Sequence, residues 1–289
     1  MTPKPVRDVA ASVRARLVRL AHQRNEEAEL TFLRYVLERF LYRLSRSPHG
    51  ESVVVKGATL MAVWGGPAYR PTRDVDLLGR GSSSPKAVAR LVRDVCAVDV
   101  RDDGVRFDLS TLTTEPLRAD DEYPGVRAEL TARLGSARIA VQIDVAFGQA
   151  VKPRPSKVEF PTLLDFPAPR LLAYPREVVV AEKSHAMVVL GMRNSRMKDF
   201  HDVWTLARSF AFDGRVLAGA FEATFERRRT PIPGGLPVAF TPGFWQDPDT
   251  SATWRAFCAR SRLSRDAILL PVVGGGGPRL RLADPRSGP

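Results

Sequence analysis

The segment T-R-D-V-D-L-L at residues 72–78 constrains this chain most, because carboxylate and apolar side chains alternate along it. Such alternation predicts a strand with Asp74 and Asp76 on one face and Val75 and Leu77 on the other. The apolar face requires a covering layer of other elements. The two carboxylates form a rigid pair of oxygen ligands, which suits a hard divalent cation such as Mg²⁺.

Asp144 supplies a candidate third carboxylate on a second alternating strand, residues 137–147. A carboxylate between Ile143 and Val145 costs free energy unless it is paired, bound to a metal or facing a cleft. An exposed hairpin face is the simple alternative. Taken with the D-x-D pair, we favour metal ligation, with Asp144 also deprotonating an attacking hydroxyl.

Gly57 opens a predicted helix directly after the buried strand Ser52–Val55. The N–H groups of a helix N-terminus after a glycine can meet a triphosphate. A D-x-D motif by itself is more typical of a solvated strand edge. The order strand, glycine turn, helix and D-x-D strand instead indicates a site for phosphate and metal, in which two cations about 4 Å apart clamp a phosphoryl transfer.

The order of elements predicts an α+β front and a helical back. The front has helices at 6–22, 27–46, 57–64 and 85–98, a strand and turn within 101–112, and hairpin strands at 125–134 and 137–147. A proline-rich stretch, 151–170, connects it to helices at 176–190, 197–210, 214–228 and 249–262, and Leu164–Phe166 is a candidate extra strand. We therefore predict domains at 1–160 and 161–265, with a disordered tail at 266–289.

The formal net charge of +12 favours a polyanionic partner such as nucleic acid, although solubility alone is the simpler explanation. Arg227-Arg228-Arg229 is more typical of a solvated helix end than of an RNA contact. No apolar run approaches the roughly 20 residues of a membrane span, so no membrane is expected. The cysteines Cys96 and Cys258 form no paired motif, and we expect a reducing cytoplasm.

Lys183 lies on a predicted helix of the back half, where a lysine is usually solvated. As a functional residue it would bind the β- or γ-phosphate as a point charge. Asp199 and Asp202 share one face of the next helix, and Lys198 is four residues before Asp202. Helix capping and local salt bridging explain these aspartates as well as a functional role does.

Several motifs together resemble the AbiEii/AbiGii-type nucleotidyltransferases, the toxins of type IV toxin–antitoxin pairs. The resemblance covers roughly residues 6–265 in order, so it is more specific than any one motif. The matching pieces are E-R-F-L-Y-R-L at 38–44, V-K-G-A-T-L at 55–60, T-R-D-V-D-L at 72–77, Y-P-G-V-R at 123–127, V-Q-I-D-V at 141–145, E-K at 182–183, N-S-R-M-K-D-F-H-D at 194–202, T-F-E-R-R at 224–228 and W-R-A-F at 254–257.

This resemblance implies a polymerase-β-like nucleotidyltransferase core, a mixed sheet with flanking helices, plus a helical C-terminal half. It implies transfer of nucleotides from an NTP, in some members to the 3′ end of tRNA, with two Mg²⁺ ions and a cognate antitoxin. The expected metal ligands are Asp74, Asp76 and Asp144, and the catalytic set adds Lys183 and Asp202, with Asp199 as the less favoured alternative to Asp202. The expected nucleotide-binding residues are Lys56, Gly57, Thr59, Arg73, Lys183 and Lys198.

One departure from the wider superfamily is Gly57-Ala58, where Gly-Ser or Gly-Gly is usual, so phosphate contacts at Ala58 would be made by the backbone alone. We expect an Mg²⁺-dependent transferase acting on RNA, most naturally tRNA. Two alternatives stay open. One is nucleotide transfer onto a protein or small molecule, and the other is a non-catalytic basic module that binds RNA or a partner.

Overall fold

The computed structural model describes residues 8–64, 72–117, 125–148 and 151–261, and the backbone of residues 281 and 282. The helices are α1 Val9–Arg24, α2 Ala28–Arg46, α3 Leu60–Val63, α4 Pro85–Cys96, α5 Arg176–Leu190, α6 Met197–Ser209, α7 Gly214–Arg227, α8 Pro242–Gln246 and α9 Pro248–Ser261. The strands are β1 Val53–Lys56, β2 Asp74–Gly79, β3 Val105–Pro116, β4 Gly125–Leu134, β5 Ala137–Phe147, β6 Ser156–Glu159, β7 Arg170–Ala173, β8 Ala211–Phe212 and β9 Arg281–Leu282.

In the described part of the chain, seven strands form one mixed sheet in the order β3-β4-β5-β2-β1-β7-β6. Strand β2 pairs in parallel with β5 and β1 in parallel with β7, whereas the other neighbours are antiparallel. A mixed sheet flanked by helices, followed by a mainly helical C-terminal half, confirms the predicted α+β class.

The sheet buries the apolar side of its alternating strands. Val75 and Leu77 of β2 and Ile143 and Val145 of β5 are all 0% exposed. Helix α2 packs against β5, and α4 packs against β3 and β4. Each fully buried side chain of this size stabilises the fold by about 1.5–3 kcal/mol. The opposite side of β2 and β5, which carries the carboxylates, is only partly covered.

The chain divides into two compact units. Among the described residues, the first comprises 8–63, 72–117, 125–148 and 156–173, and the second comprises Trp64, 151–155 and 174–261. The second unit packs around an apolar cluster of Met187, Met197, Phe200, Ala239, Phe244, Trp245, Trp254, Phe257 and Cys258. Compact units need not fold separately, so the predicted domain limits at residues 160 and 265 stay predictions.

The proline-rich stretch at residues 151–170 was predicted as a connection, but it contains β-structure. Residues 156–159 form the edge strand β6, and β7, which begins at residue 170, lies between β6 and β1. The extra strand predicted at Leu164–Phe166 is wrong. That segment is a turn held by side chains of α2, because Glu38 accepts a hydrogen bond from the Leu163 N–H at 2.7 Å and Arg39 donates to the Pro167 carbonyl at 2.9 Å.

The strand and turn predicted within residues 101–112 form one long strand, β3, with a register shift between Asp108 and Thr113. The side chain of Asp108 bonds to Ser110 across that irregularity, which explains why the sequence reads locally as a turn. The limits of the hairpin strands β4 and β5 agree with the prediction. No helix among the described residues is long and apolar enough to cross a bilayer.

Some predictions fall on residues outside the described part of the chain. These are Tyr123 and Pro124 of the family motif, the helix end at Gly65-Gly66-Pro67, and the tail at 266–289 apart from the backbone of residues 281 and 282.

Candidate active site

Three carboxylates meet on the polar face of the sheet, where β2 and β5 run side by side. Asp76 is the direct register partner of Asp144, and Asp74 lies two residues earlier on the same face. Neighbouring strands are about 4.8 Å apart, so registered side chains on one face are close. One oxygen from each carboxylate lies within 4.8 Å of the others. The structure thus brings together the three residues that the sequence predicted as metal ligands.

The donor set fits a hard divalent cation. All three groups are carboxylates, they converge on one point, and they are half-buried on rigid strands. Oxygen-only ligation is typical of Mg²⁺, Mn²⁺ and Ca²⁺ rather than of zinc or copper. Mg²⁺ usually takes one or two carboxylates and completes its shell with water and substrate phosphate.

Gly57 lies directly against the carboxylate of Asp76. Its φ is +70°, and a Cβ atom at this position would lie 2.0 Å from Asp76 Oδ2. Only glycine therefore fits beside the metal-ligand candidate. The predicted helix begins here as a 3₁₀ turn, Gly57–Thr59, and continues as the single turn of α3.

Two threonine hydroxyls donate hydrogen bonds to Asp74, one to its backbone and one to its carboxylate. Thr59 donates a hydrogen bond to the backbone carbonyl of Asp74 at 3.2 Å, and Thr72 donates to Asp74 Oδ1 at 2.6 Å. Lys56, at the end of β1, is the register partner of Asp76. Arg73 is exposed beside Asp74. These contacts fix the orientation of the D-x-D pair, and the nucleotide-binding roles predicted for Lys56, Gly57, Thr59 and Arg73 stay predictions.

Arg127 is a member of the site to which sequence reasoning gave no role. It lies on β4 opposite Asp144, and its guanidinium forms a two-pronged ion pair with that carboxylate, Nε to Oδ1 at 2.9 Å and Nη2 to Oδ2 at 2.8 Å. Gln142 adds a third hydrogen bond to Asp144 Oδ2 at 3.2 Å. Asp144 and its other neighbours raise the pKa of Arg127, so it stays charged. A signal was present, because Arg127 alternates with buried residues along β4 as Asp144 does along β5.

Lys183 belongs to a buried charge cluster within the second unit. Its ammonium lies 2.6 Å from Asp199 Oδ1 and 2.9 Å from Asp202 Oδ2, and both aspartate side chains are 1% exposed. Arg196 also pairs with Asp199 at 2.7 Å. Burial by itself would raise the pKa of Asp199, but the two cations outweigh it and hold that pKa below its usual value.

Asp199 makes a local ion pair to Arg196, as the simpler explanation from the sequence allows, and both aspartates also make ion pairs outside their own helix. Asp199 makes a long-range ion pair to α5, as does Asp202, and neither caps the helix, whose N-cap position is Arg196. Lys198 is exposed. The structure does not test which residues of this set bind nucleotide, so the roles of Lys183, Lys198, Asp199 and Asp202 stay predictions.

The sequence predicted a solvated helix end for the three arginines 227–229, and this is wrong for Arg227 and Arg228, whereas Arg229 is exposed. The side chains of Arg227 and Arg228 are 9% and 4% exposed, and both pair with Glu182, at 2.8 and 3.8 Å. Arg228 also donates to His185 Nδ1 at 2.8 Å. Burial lowers the pKa of Arg228 to about 9. These two cations serve packing between α5 and α7.

Comparison with known protein families identifies the family to which the chain belongs. A family profile described as "Nucleotidyl transferase AbiEii toxin, Type IV TA system" matches residues 39–273. The chain belongs to this family. The predicted enzyme class, nucleotidyltransferase, is thereby confirmed. Membership in a family of type IV toxins also implies a nucleotide substrate and an antitoxin partner.

Two solved structures from Helicobacter pylori are similar over most of the chain. One is JHP933, at 13% identity and a TM-score of 0.47, with 83% of this chain and 87% of that chain covered. The other, provisionally described as a nucleotidyltransferase, has 12% identity and a TM-score of 0.44, with 83% and 90% covered. At this level of similarity neither carries an argument about function. No curated protein sequence matches the chain significantly.

Proposed function

We propose that this AbiEii-family enzyme transfers a nucleoside monophosphate from an NTP to an RNA acceptor, the 3′ end of tRNA, in a reaction that depends on Mg²⁺. The observation that carries the proposal is the register of β2 and β5, which sets Asp76 directly beside Asp144 and gives three converging carboxylates. The net charge of +12 supports a polyanionic acceptor.

In this proposal, the carboxylates of Asp74, Asp76 and Asp144 hold two Mg²⁺ ions. When bound, such ions neutralise phosphate charge and bring the attacking and leaving oxygens into line. The Gly57 turn lets the Asp76 carboxylate lie directly against the backbone, because a Cβ atom on residue 57 would collide with Asp76 Oδ2. Asp144 accepts the proton of the RNA 3′-hydroxyl, which attacks the α-phosphate, and pyrophosphate leaves.

Lys183 contributes a fixed positive charge for the triphosphate, with Lys56 and Arg73 as further candidates. The buried carboxylates of Asp199 and Asp202 hold the Lys183 ammonium in one place. A cation that is already oriented needs little reorganisation when phosphate charge develops. Asp202 is therefore a positioning residue in this proposal, because it acts through Lys183.

The proposal is tested by incubating the protein with total tRNA, Mg²⁺ and each of the four α-labelled NTPs in turn. We expect label in tRNA with one or two NTPs, and loss of that label with EDTA or in the variant Asp74→Ala. The variant Asp94→Asn is a matched control, because it removes one carboxylate from the surface of α4, where Asp94 pairs with His49. It should label tRNA as the natural sequence does.

The other outcomes separate the alternatives. Label on protein or on a small molecule, with none in tRNA, would show that the acceptor is not tRNA but that the enzyme is a nucleotidyltransferase. Transfer that persists in Asp74→Ala would refute the site. RNA binding without any transfer would favour a non-catalytic module. The proposed antitoxin is sought as the product of a neighbouring gene that relieves growth arrest, and the proposed compartment is the cytoplasm.

A further inference from the structure

A row of charged residues crosses the polar face of the sheet, one from each of five strands. Register pairs link Glu115 to Arg127, Arg127 to Asp144, Asp144 to Asp76, and Asp76 to Lys56. The carboxylates of the candidate metal site therefore have one cation on each side, a strand away. Cations adjacent to an acidic cluster neutralise it, and they also compete with any other cation that enters it.

Arg127 is the stronger competitor, because its fork uses both oxygens of Asp144. A carboxylate has about four lone-pair positions. Arg127 takes two of them and Gln142 a third, on Oδ2. Among the described residues, these hydrogen bonds leave one lone-pair position, on Oδ1, and the Arg127 guanidinium lies immediately beside it. Asp144 in this state is a poor ligand, even though its geometry places it in the triad.

Arg127 has alternative carboxylate partners near its guanidinium. Glu115 and Glu129 act electrostatically on the same guanidinium, and both are exposed on β3 and β4. Glu115 is the register partner of Arg127, and Glu129 lies two residues along on the same face. A rotation of the Arg127 side chain away from Asp144 therefore exchanges one carboxylate partner for another without isolating the charge.

We propose that Arg127 is an internal counterion that occupies Asp144 in the metal-free protein and gives this carboxylate up when a divalent cation binds. The inference rests on the proposed metal site. It makes Arg127 a residue that sets the affinity of the site for free cations. Because Arg127 and Lys56 offset two of the three carboxylate charges, full occupancy by two divalent cations is favoured only when the triphosphate adds its own negative charge.

The test measures Mn²⁺ binding to the full-length protein without nucleotide or RNA, by electron paramagnetic resonance of free Mn²⁺. Arg127→Gln removes the competing charge, and we expect about a tenfold tighter dissociation constant. Arg127→Lys keeps the charge but has no fork, and an intermediate value is expected. Arg133→Gln is the matched control, since it removes a half-exposed arginine from the same strand, about 20 Å away, and should not change Mn²⁺ binding.

A second readout uses thermal unfolding. Without Arg127 the carboxylate of Asp144 has lost its counterion, so Mn²⁺ should raise the melting temperature more in Arg127→Gln than in the natural sequence. Unchanged or weaker Mn²⁺ binding in Arg127→Gln, with the fold intact, would overturn the inference and show that Arg127 orients Asp144 for the metal. If Asp74→Asn also leaves Mn²⁺ binding unchanged, the triad is not the metal site and the proposed function fails with it.

Discussion

Gly57 shows how strictly one residue can be required by another. A side chain at this position would meet Asp76 at 2.0 Å and would also sit at a φ of +70°. Ordinary residues lose about 1–2 kcal/mol in that conformation. Glycine is therefore required at position 57 both by the adjacent Asp76 carboxylate and by the backbone conformation of the turn.

We predict that Gly57→Ala lowers the rate of nucleotide transfer at least about 100-fold, because the displaced Asp76 carboxylate no longer meets its partners. Gly81→Ala is the control. Gly81 has a φ of +95° but nothing within 4 Å of the added Cβ, so it carries similar backbone strain without the clash. In urea titrations Gly81→Ala should lose about 1–2 kcal/mol of unfolding free energy and Gly57→Ala at least as much, and only Gly57→Ala should lose activity. Equal activities would show that the clash is harmless.

Glu38, on α2, is a buried carboxylate. Its Oε1 lies 2.7 Å from Arg39 Nη2, but the geometry is not that of a hydrogen bond, so the contact is mainly Coulombic. Burial raises the pKa of Glu38 from 4.5 to about 7, against the opposing effect of Arg39. A raised carboxyl pKa means that the fold favours the protonated form. The resulting stability is fully present below pH 4.5 and is lost as the pH rises through about 7.

We predict that the natural protein loses up to about 3 kcal/mol of unfolding free energy relative to Glu38→Gln between pH 4.5 and about pH 8. The glutamine variant has no charge to bury, so only the natural protein should show this component. Urea unfolding at several pH values, compared as the difference between the two proteins, isolates it from other titrating groups. A difference that does not change with pH would mean that Glu38 titrates normally.

At the scale of elements, helices α5 and α6 are joined by the ion pairs of Lys183 with Asp199 and Asp202. The lysine side chain is 12% exposed, and solvent screens such a pair weakly. Removing one partner of a buried pair leaves charge without compensation, which is costlier than the net gain from forming it. The same contacts that orient Lys183 therefore also stabilise the packing of α5 on α6.

We predict that Lys183→Met lowers the unfolding free energy by about 3 kcal/mol. Lys198→Met is the matched control on α6, because Lys198 is exposed, and it should change stability by less than about 0.5 kcal/mol. Chemical denaturation of the two variants provides the comparison. If Lys183→Met unfolds like the natural protein, the cluster is not a stabilising contact.

At the scale of the whole molecule, the net charge of +12 includes cations that are buried in internal ion pairs. Arg43 forms a buried ion pair with Asp103, and Arg227 and Arg228 are buried against Glu182. The net charge calculated from the composition includes these buried arginines as well as the exposed ones. The basic excess that an RNA would meet is therefore set by which arginines the fold buries.

We predict that tRNA binding by the Asp74→Ala variant weakens with salt, with a slope of about −4 in log K against log salt if about five phosphates are contacted. This corresponds to a loss of a few hundredfold between about 50 and 200 mM salt. Filter binding without NTP measures it. A slope near zero would indicate that the charge excess serves solubility alone.

Local periodicity determined much of the fold. Alternation predicted the faces of β2 and β5, because side chains point to opposite sides of any strand whatever its neighbours are. It also located the hairpin at residues 125–147 and the three metal-ligand candidates. The edge strand β6 and its neighbour β7 were missed, because the prolines that flank these short strands are typical of a connection.

What only the tertiary structure decided is which strands are neighbours and in which register. Asp76 and Asp144 are far apart in the chain, and nothing in either segment states that β2 pairs with β5 in parallel. The same holds for Arg127 and its fork on Asp144, and for Gly57 against the Asp76 carboxylate. Such contacts depend on packing between distant segments, whereas sequence patterns report only the face on which each residue lies.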